Sequence, residues 1–328
     1  MRLRVFVLLC LLPTVFLLTI SLADAQQPKK VPRVGLLLSA SIAETAPWID
    51  AFRQGLRELD YIEGRNIILE IRGGGAEPDR IAHLATELVN LKVDIIVAAG
   101  NFAVQAAMKA TSTIPIVIRT ATDPVIAGYI PSLARPGGNI TGLSALSAEL
   151  GTKRLEILTD AVPKLARVAL LWPGTGQQSQ LKELRAAAPA LKLKLEEVKT
   201  QADTKSLESA FRTAKQKQVD AIMTTQSRTF FAERKRIVEL AVKYRLPGIY
   251  FQKEFVDEGG LMSYGADFDD LYRRAAVYVD KILKGAKPAD LPVQQATKFE
   301  FVINLKAAKQ IGLTIPVRVL EQANQIIK

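Results

Sequence analysis

Covalent catalysis needs a nucleophile with a base beside it, and this sequence supplies neither in a recognisable arrangement. His83 is the only histidine, so no second one exists to build a triad or a histidine metal site around. It falls in the middle of an amphipathic stretch and reads as structural. Cys10 is the only cysteine and lies inside an apolar leader, which leaves the rest of the chain without thiol chemistry or disulfides. There is no Gly-x-Ser-x-Gly elbow. Gly73-Gly74-Gly75 follow a strand-like run, but no Gly-Lys-Ser/Thr comes after them, so they read as a surface turn and not a phosphate loop. A carboxylate pair such as Asp123 with Glu254 is the catalytic arrangement left open. The expectation is a non-enzyme without metal or cofactor.

Binding chemistry is better supplied. In doubly wound sheets, ligands sit beyond the carboxyl ends of the strands, where helix N-termini present unpaired N–H groups. The polar and aromatic residues that directly follow strand-like runs are Ser39, Ser41, Asn101, Phe102, Arg119 and Asp123 in the first half of the chain. In the second half they are Trp172, Gln226, Ser227 and Gln252, with Tyr264 in an extended segment between the halves. Ser39 and Ser41 suit a carboxylate or a turn. Asn101 and Asp123 suit either ligand contact or helix capping, Asp123 standing before Pro124 at a first helical position. Arg119 suits a carboxylate held by two hydrogen bonds, or a direction away along its strand. Phe102 and Trp172 could stack on a flat solute or pack between lobes. Both readings stand for each.

Those residues gain meaning from the elements that carry them. From Arg33 onward, short aliphatic runs alternate with amphipathic stretches of helical length, the pattern of βαβ units and parallel sheets. The spacing predicts strands at Val34–Leu38, Ile67–Ile71, Asp94–Ala98 and Ile116–Ile118, with helices at Pro47–Leu59, Asp79–Leu91 and Phe102–Ala110. The pattern then restarts, with strands at Val168–Leu171, Leu193–Val198, Ala221–Thr224 and Gly248–Tyr250. Helices fall between them at Gln178–Ala190, Thr204–Lys217 and Thr229–Tyr244. The expected fold class is α/β, with two doubly wound parallel-sheet lobes.

Three short extended segments, Asn139–Ser144, Leu261–Gly265 and Phe299–Asn304, read as crossovers between the lobes. The helix opened by Asp267 and closed by Gly285 returns to the first lobe. The expected lobes are therefore 32–142 plus 265–294, and 143–264 plus 295–328. Hinge motion is expected at Thr141, Gly142, Tyr264, Gly265 and Ile303.

Arg2 and Arg4 precede an apolar run from Val5 to Leu22 that ends in Ala23-Asp24-Ala25, the signature of a cleavable secretory signal over residues 1–25. Pro13 and the small residues at the cleavage point argue against a permanent anchor. The expected location is the periplasm. Removing 25 of 328 residues leaves 303, which suits two compact lobes better than one core. The net charge of +11 is spread along helices among acids, as in Glu233-Arg234-Lys235-Arg236. With no nucleic-acid motif beside it, no nucleic-acid partner is expected.

Five stretches make the chain resemble a known family: GLRELDYIEGRNI from Gly55, DPV from Asp123, SLARPGGNITGLS from Ser132, EFVDEGGLMSYG from Glu254, and the run from Tyr272 to Pro316. In that order they resemble the ABC transporter substrate-binding proteins that include tryptophan- and tyrosine-type binders. The resemblance implies a type I periplasmic-binding fold and a permease with its ATPase as partners. A monomer is expected, and the residues themselves point to a small amino acid, with an aromatic one included, or a related carboxylate, since Asp123 suits an ammonium group and helix N-termini suit a carboxylate. The resemblance does not imply which ligand. The chain departs from the family at Gly73-Gly74-Gly75 and at Trp172-Pro173-Gly174, where an Asn-Pro type turn is commoner. A sensor component or a periplasmic enzyme on the same bilobal fold is the alternative.

Overall fold

The computed structural model describes residues 30–328 apart from Ala76 and Gly176. The expected signal peptide therefore lies outside the described residues.

From Pro32 onward the chain forms one compact unit built on two sheets. Along the first half run β1 (Arg33–Leu38), α1 (Ala46–Arg57), β2 (Ile68–Gly73), α2 (Pro78–Asn90), β3 (Ile95–Ala99), α3 (Asn101–Ala110), β4 (Ile116–Thr120) and β5 (Ile140–Ser144). The second half continues with α4 (Ser147–Ala161), β6 (Arg167–Trp172), α5 (Gln178–Ala190), β7 (Lys194–Lys199), α6 (Thr204–Gln216) and β8 (Ala221–Thr224). After these come α7 (Arg228–Ala232), α8 (Arg234–Lys243), β9 (Gly248–Tyr250), α9 (Glu254–Asp257), β10 (Met262–Ala266) and α10 (Phe268–Leu283). The chain closes with β11 (Gln294–Gln295), β12 (Phe299–Asn304), α11 (Leu305–Ile311), α12 (Val317–Leu320) and β13 (Gln325–Ile327).

The first sheet has spatial order β11-β5-β4-β3-β1-β2 and the second β13-β12-β10-β9-β8-β6-β7. Both contain the same doubly wound motif, with the strand order reversing between β1 and β3 and again between β6 and β8. Pairing is parallel except between β10 and β12, because the chain re-enters the second sheet from the opposite direction. The fold is α/β with two parallel-dominated sheets.

Side-chain alternation explains why each sheet carries helices on both faces. Leu36 and Leu38 of β1 join a cluster with Phe52 and Leu56 of α1. Leu37, between them, joins Ile81 and Leu88 of α2 and Val104 of α3. In the second sheet, Val168 and Leu170 face Leu181 and Leu184 of α5, whereas Ala169 and Leu171 face the α6 side with Leu207 and Phe211. Helix starts follow local chemistry: the Asp203 and Asp267 carboxylates accept from the N–H groups of Ser206 and Asp270 at 3.0 and 2.9 Å. As expected, Asp267 opens α10. Gly285, at φ +99°, stands just beyond its end.

The chain passes between the sheets three times: after β5, between β10 and α10, and between β11 and β12. The segments expected to be thin straps are themselves ladder strands. Thr141 and Gly142 lie in β5, Tyr264 and Gly265 in β10, and Ile303 in β12. Position 142 requires glycine, since its φ is +139° and a Cβ there would stand 2.1 Å from the Ile118 carbonyl oxygen. The expected helix at Thr229–Tyr244 is two helices, broken at Glu233 (φ −95°, ψ 16°). Helix α4 was not anticipated.

Candidate functional site

A cleft of about 700 Å³ opens at the two topological switch points, where the strand order reverses and neighbouring loops diverge. Its walls come from the segments after β1, β3 and β4 of the first sheet and after β6, β8 and β9 of the second.

Of the residues expected to bind, Ser39, Asn101, Phe102, Asp123, Gln226, Ser227 and Gln252 line this cleft. Ser41, Trp172 and Tyr264 do not. Ser41 turns its hydroxyl and N–H onto the Glu44 carboxylate, Trp172 packs against the second sheet's apolar cluster, and Tyr264 stacks on Phe299 at 6.1 Å. Arg119 lines the cleft too. Glu254 does not, so the carboxylate pair conceived with Asp123 is not brought together.

Several of these side chains have structural duties as well. The N-terminus of α3 is served not by Asn101 but by Ser39, whose hydroxyl accepts from the Ala103 N–H at 3.0 Å. Gly100 makes this approach possible: its φ is +94° and a Cβ would stand 2.5 Å from Ser39 Oγ. Asn101 Oδ1 instead accepts from the Thr120 hydroxyl at 2.7 Å. Asp123 Oδ1 accepts from the N–H groups of Val125 and Ile126 at 2.7 and 3.1 Å; the segment after Pro124 is a turn and not the helix its place suggested. Ser227 caps α7 by accepting from Phe230 N–H at 3.3 Å. Gln180, buried behind the wall, holds the β8 loop by accepting from Gln226 N–H at 2.7 Å and donating to the Gln226 carbonyl at 3.1 Å.

The floor is aromatic, and most of it was missed by a reading confined to strand ends. Trp48 of α1 stacks on Phe268 at 5.3 Å and Tyr272 at 5.9 Å, both on α10, and meets Phe231 of α7 at 5.6 Å. Phe268 and Tyr272 stand four apart on one helix face, a spacing that reads as core until the partner helix is known. Each ring pair contributes about 0.5–1.5 kcal/mol beyond its buried area. Arg119 spreads over this surface, its guanidinium carbon 4.7 Å from the Phe268 ring centre and 5.1 Å from that of Tyr272.

Charges around the cleft are few. Asp123 is its only acid, and Arg119 and Arg228 its only bases, among the described residues. Arg228 forms an ion pair with Glu44. Burial opposes ionisation of Glu44, but hydrogen bonds from Ser41 and Arg228 outweigh it and hold its pKa below the ordinary carboxylate value. No group of three or more His, Cys, Asp or Glu that could hold a metal occurs among the described residues. None of their helices is long and apolar enough to cross a membrane.

Comparison with known proteins places this geometry in context. Residues 45–327 match the family model described as ABC transporter substrate binding protein. A tyrosine-binding protein of Clostridioides difficile is 26% identical over 263 residues, covering 80% of this chain and 75% of its own. Among solved structures, a conserved domain protein from Vibrio cholerae superposes with a TM-score of 0.83 at 28% identity, over 90% of this chain and 100% of that one. An ABC domain from Streptococcus pneumoniae in complex with L-Trp superposes with a TM-score of 0.82 at 26% identity, over 90% and 99%.

Proposed function

This chain belongs to the ABC transporter substrate binding protein family, and from that premise we propose that it is the solute-capturing component of an importer. It is exported to the periplasm on its cleaved leader and acts as a monomer. An amino acid, aromatic in its side chain, or a related small carboxylate is held between two lobes, 32–142 plus 265–294 and 143–264 plus 295–328. A membrane permease with its ATPase then reads the closed form. The observation that carries this reading is the cleft of about 700 Å³ walled by strand-end loops of both sheets, a volume suited to a small solute.

Closure follows from the three connections between the sheets. Loops on both walls can grip one solute only when the sheets approach, so a bound ligand favours the closed arrangement by its differential affinity for it. Trp48, Phe268 and Tyr272 supply a flat apolar surface, and Arg119 supplies charge for a carboxylate. The chain performs no bond-making step.

The test is a thermal-shift screen of the exported protein against amino acids, aromatic acids, amines and neutral sugars. A ligand present at 100 times its Kd stabilises by about 2.7 kcal/mol, a readable rise in Tm. Stabilisation by amino acids or aromatic acids is the expected result. Stabilisation by sugars alone would overturn the ligand class, and no response to any solute would overturn solute capture. Cell fractionation with the leader intact or deleted tests the location.

A further inference from the structure

Three residues of the cleft wall carry a buried nitrogen without a hydrogen-bond partner, Arg119 Nε, Arg228 Nε and Gln252 Nε2. Arg228 has its charge matched by Glu44, which leaves Arg119 and Gln252, on opposite sheets. Arg119 lies in β4 and is 7% exposed, yet its Nε has no hydrogen-bond partner. Its one side-chain hydrogen bond is a long one, from Nη2 to the Tyr272 hydroxyl at 3.4 Å. Gln252, just beyond β9, is also 7% exposed, and its amide Nε2 has no partner. Unmatched buried donors are costly, about 1–3 kcal/mol for an amide and more for a charged group. Their retention in a cleft wall is explained by an acceptor that arrives with the ligand.

The charge balance says what kind of acceptor. Arg228 is matched by Glu44. Asp123, the cleft's only acid among the described residues, has Oδ1 engaged by two backbone N–H groups. Arg119 is thus the cleft cation without a carboxylate partner among the described residues. An anion satisfies it, whereas a ligand ammonium finds only a partly exposed carboxylate already closing a turn, where a solvent-screened pair contributes little.

Resting on the solute-capture reading above, we infer that the ligand is recognised through one carboxylate, which accepts hydrogen bonds from Arg119 of the first sheet and Gln252 of the second, with its ring on the aromatic floor. An amine on the ligand is dispensable. Arg119 and Gln252 are therefore the specificity-determining pair, and a carboxylate that engages both ties recognition to closure.

The test is calorimetric titration of the exported protein with probes sharing one ring system: L-tryptophan, indole-3-propionate, which lacks the amine, and tryptamine, which lacks the carboxylate. A parallel set carries a hydroxyphenyl ring. In the ring series that binds, the two acids are expected to lie within roughly 10-fold of each other and the amine at least about 100-fold weaker, the range for losing the partner of a buried charge. Arg119→Met should abolish the preference for acid over amine, a readout that a merely structural role would not move. Should that variant fail to fold, Gln252→Glu, which sets a like charge against the carboxylate, should weaken acids by about 100-fold while sparing amines. Amines or neutral solutes that bind as tightly as acids would overturn this inference and leave solute capture standing. Absence of binding by every solute class would overturn both.

Discussion

Glu44 and Arg228 lie 184 residues apart in sequence and form an ion pair that ties the segment after β1 to the first turn of α7. Glu44 follows β1 of the first sheet and Arg228 follows β8 of the second, so the pair joins segments carried by the two sheets. Ser41 holds the Glu44 carboxylate from its own side, while Arg228 lies over the Phe231 ring at 5.9 Å, and Phe231 in turn meets Trp48. Polar and aromatic contacts thus bridge segments of the two sheets side by side, and the proposed opening of the cleft would part both.

Breaking the ion pair should therefore shift the protein toward the open form. Glu44→Gln and Arg228→Met are each expected to weaken ligand binding several-fold. The double variant should be less than additive, with a coupling of about 1 kcal/mol, as for partly exposed pairs. A double-mutant cycle on Kd checks this.

The same pair gives a pH dependence of defined sign. Glu44 has its pKa lowered from 4.5, so its stabilisation is fully present above pH 4.5 and is lost as pH falls through the lower folded-state value. Melting temperatures at pH 3 to 6 for the parent and Glu44→Gln should converge toward the acid end.

Glu254 acts in the opposite sense. Burial pushes its pKa up from 4.5 to about 7, and its Oε2 has no partner. With a raised folded-state pKa, stability is greatest below pH 4.5 and declines as pH rises toward 7, by roughly 3 kcal/mol in total. Glu254→Gln should remove that decline and raise Tm by several degrees at pH 8 but not at pH 4.

Ser39 is expected to contribute to stability as well as to line the cleft. Ser39→Ala removes the hydroxyl that accepts from Ala103 N–H and should cost about 0.5–2 kcal/mol in urea unfolding, the range for losing a helix cap. Trp48→Ala should cost more, about 3–5 kcal/mol, since Trp48 is buried among Phe231, Phe268 and Tyr272.

Much of this architecture was legible because parallel sheets write plainly. The strands at Ala221–Thr224 and Gly248–Tyr250 and the helix at Gln178–Ala190 fall where apolar runs and amphipathic spacing put them. Helix α4 was not legible. Its preceding residue, Leu146, is left-handed at φ 55° with no side-chain cap, and its inward face carries Ser147 and Arg154, so polarity does not mark the outside. Strand-end reasoning reached Ser39, Asn101, Arg119, Asp123, Gln226, Ser227 and Gln252 of the cleft lining, because strand ends are where switch-point loops begin, but it passed over Gln105, Gln177 and Arg228. It missed Trp48, Phe231, Phe268 and Tyr272 because helix residues at core spacing become cleft residues only once two helices and a second sheet meet.

A crystal structure of the protein with its most stabilising ligand tests most directly whether a small carboxylate binds between the two sheets. The expected result is ligand density in the cleft, with its carboxylate on Arg119 and its ring against Trp48 and Phe268. Density for the ligand at any other site, with the cleft holding only solvent, would contradict the account.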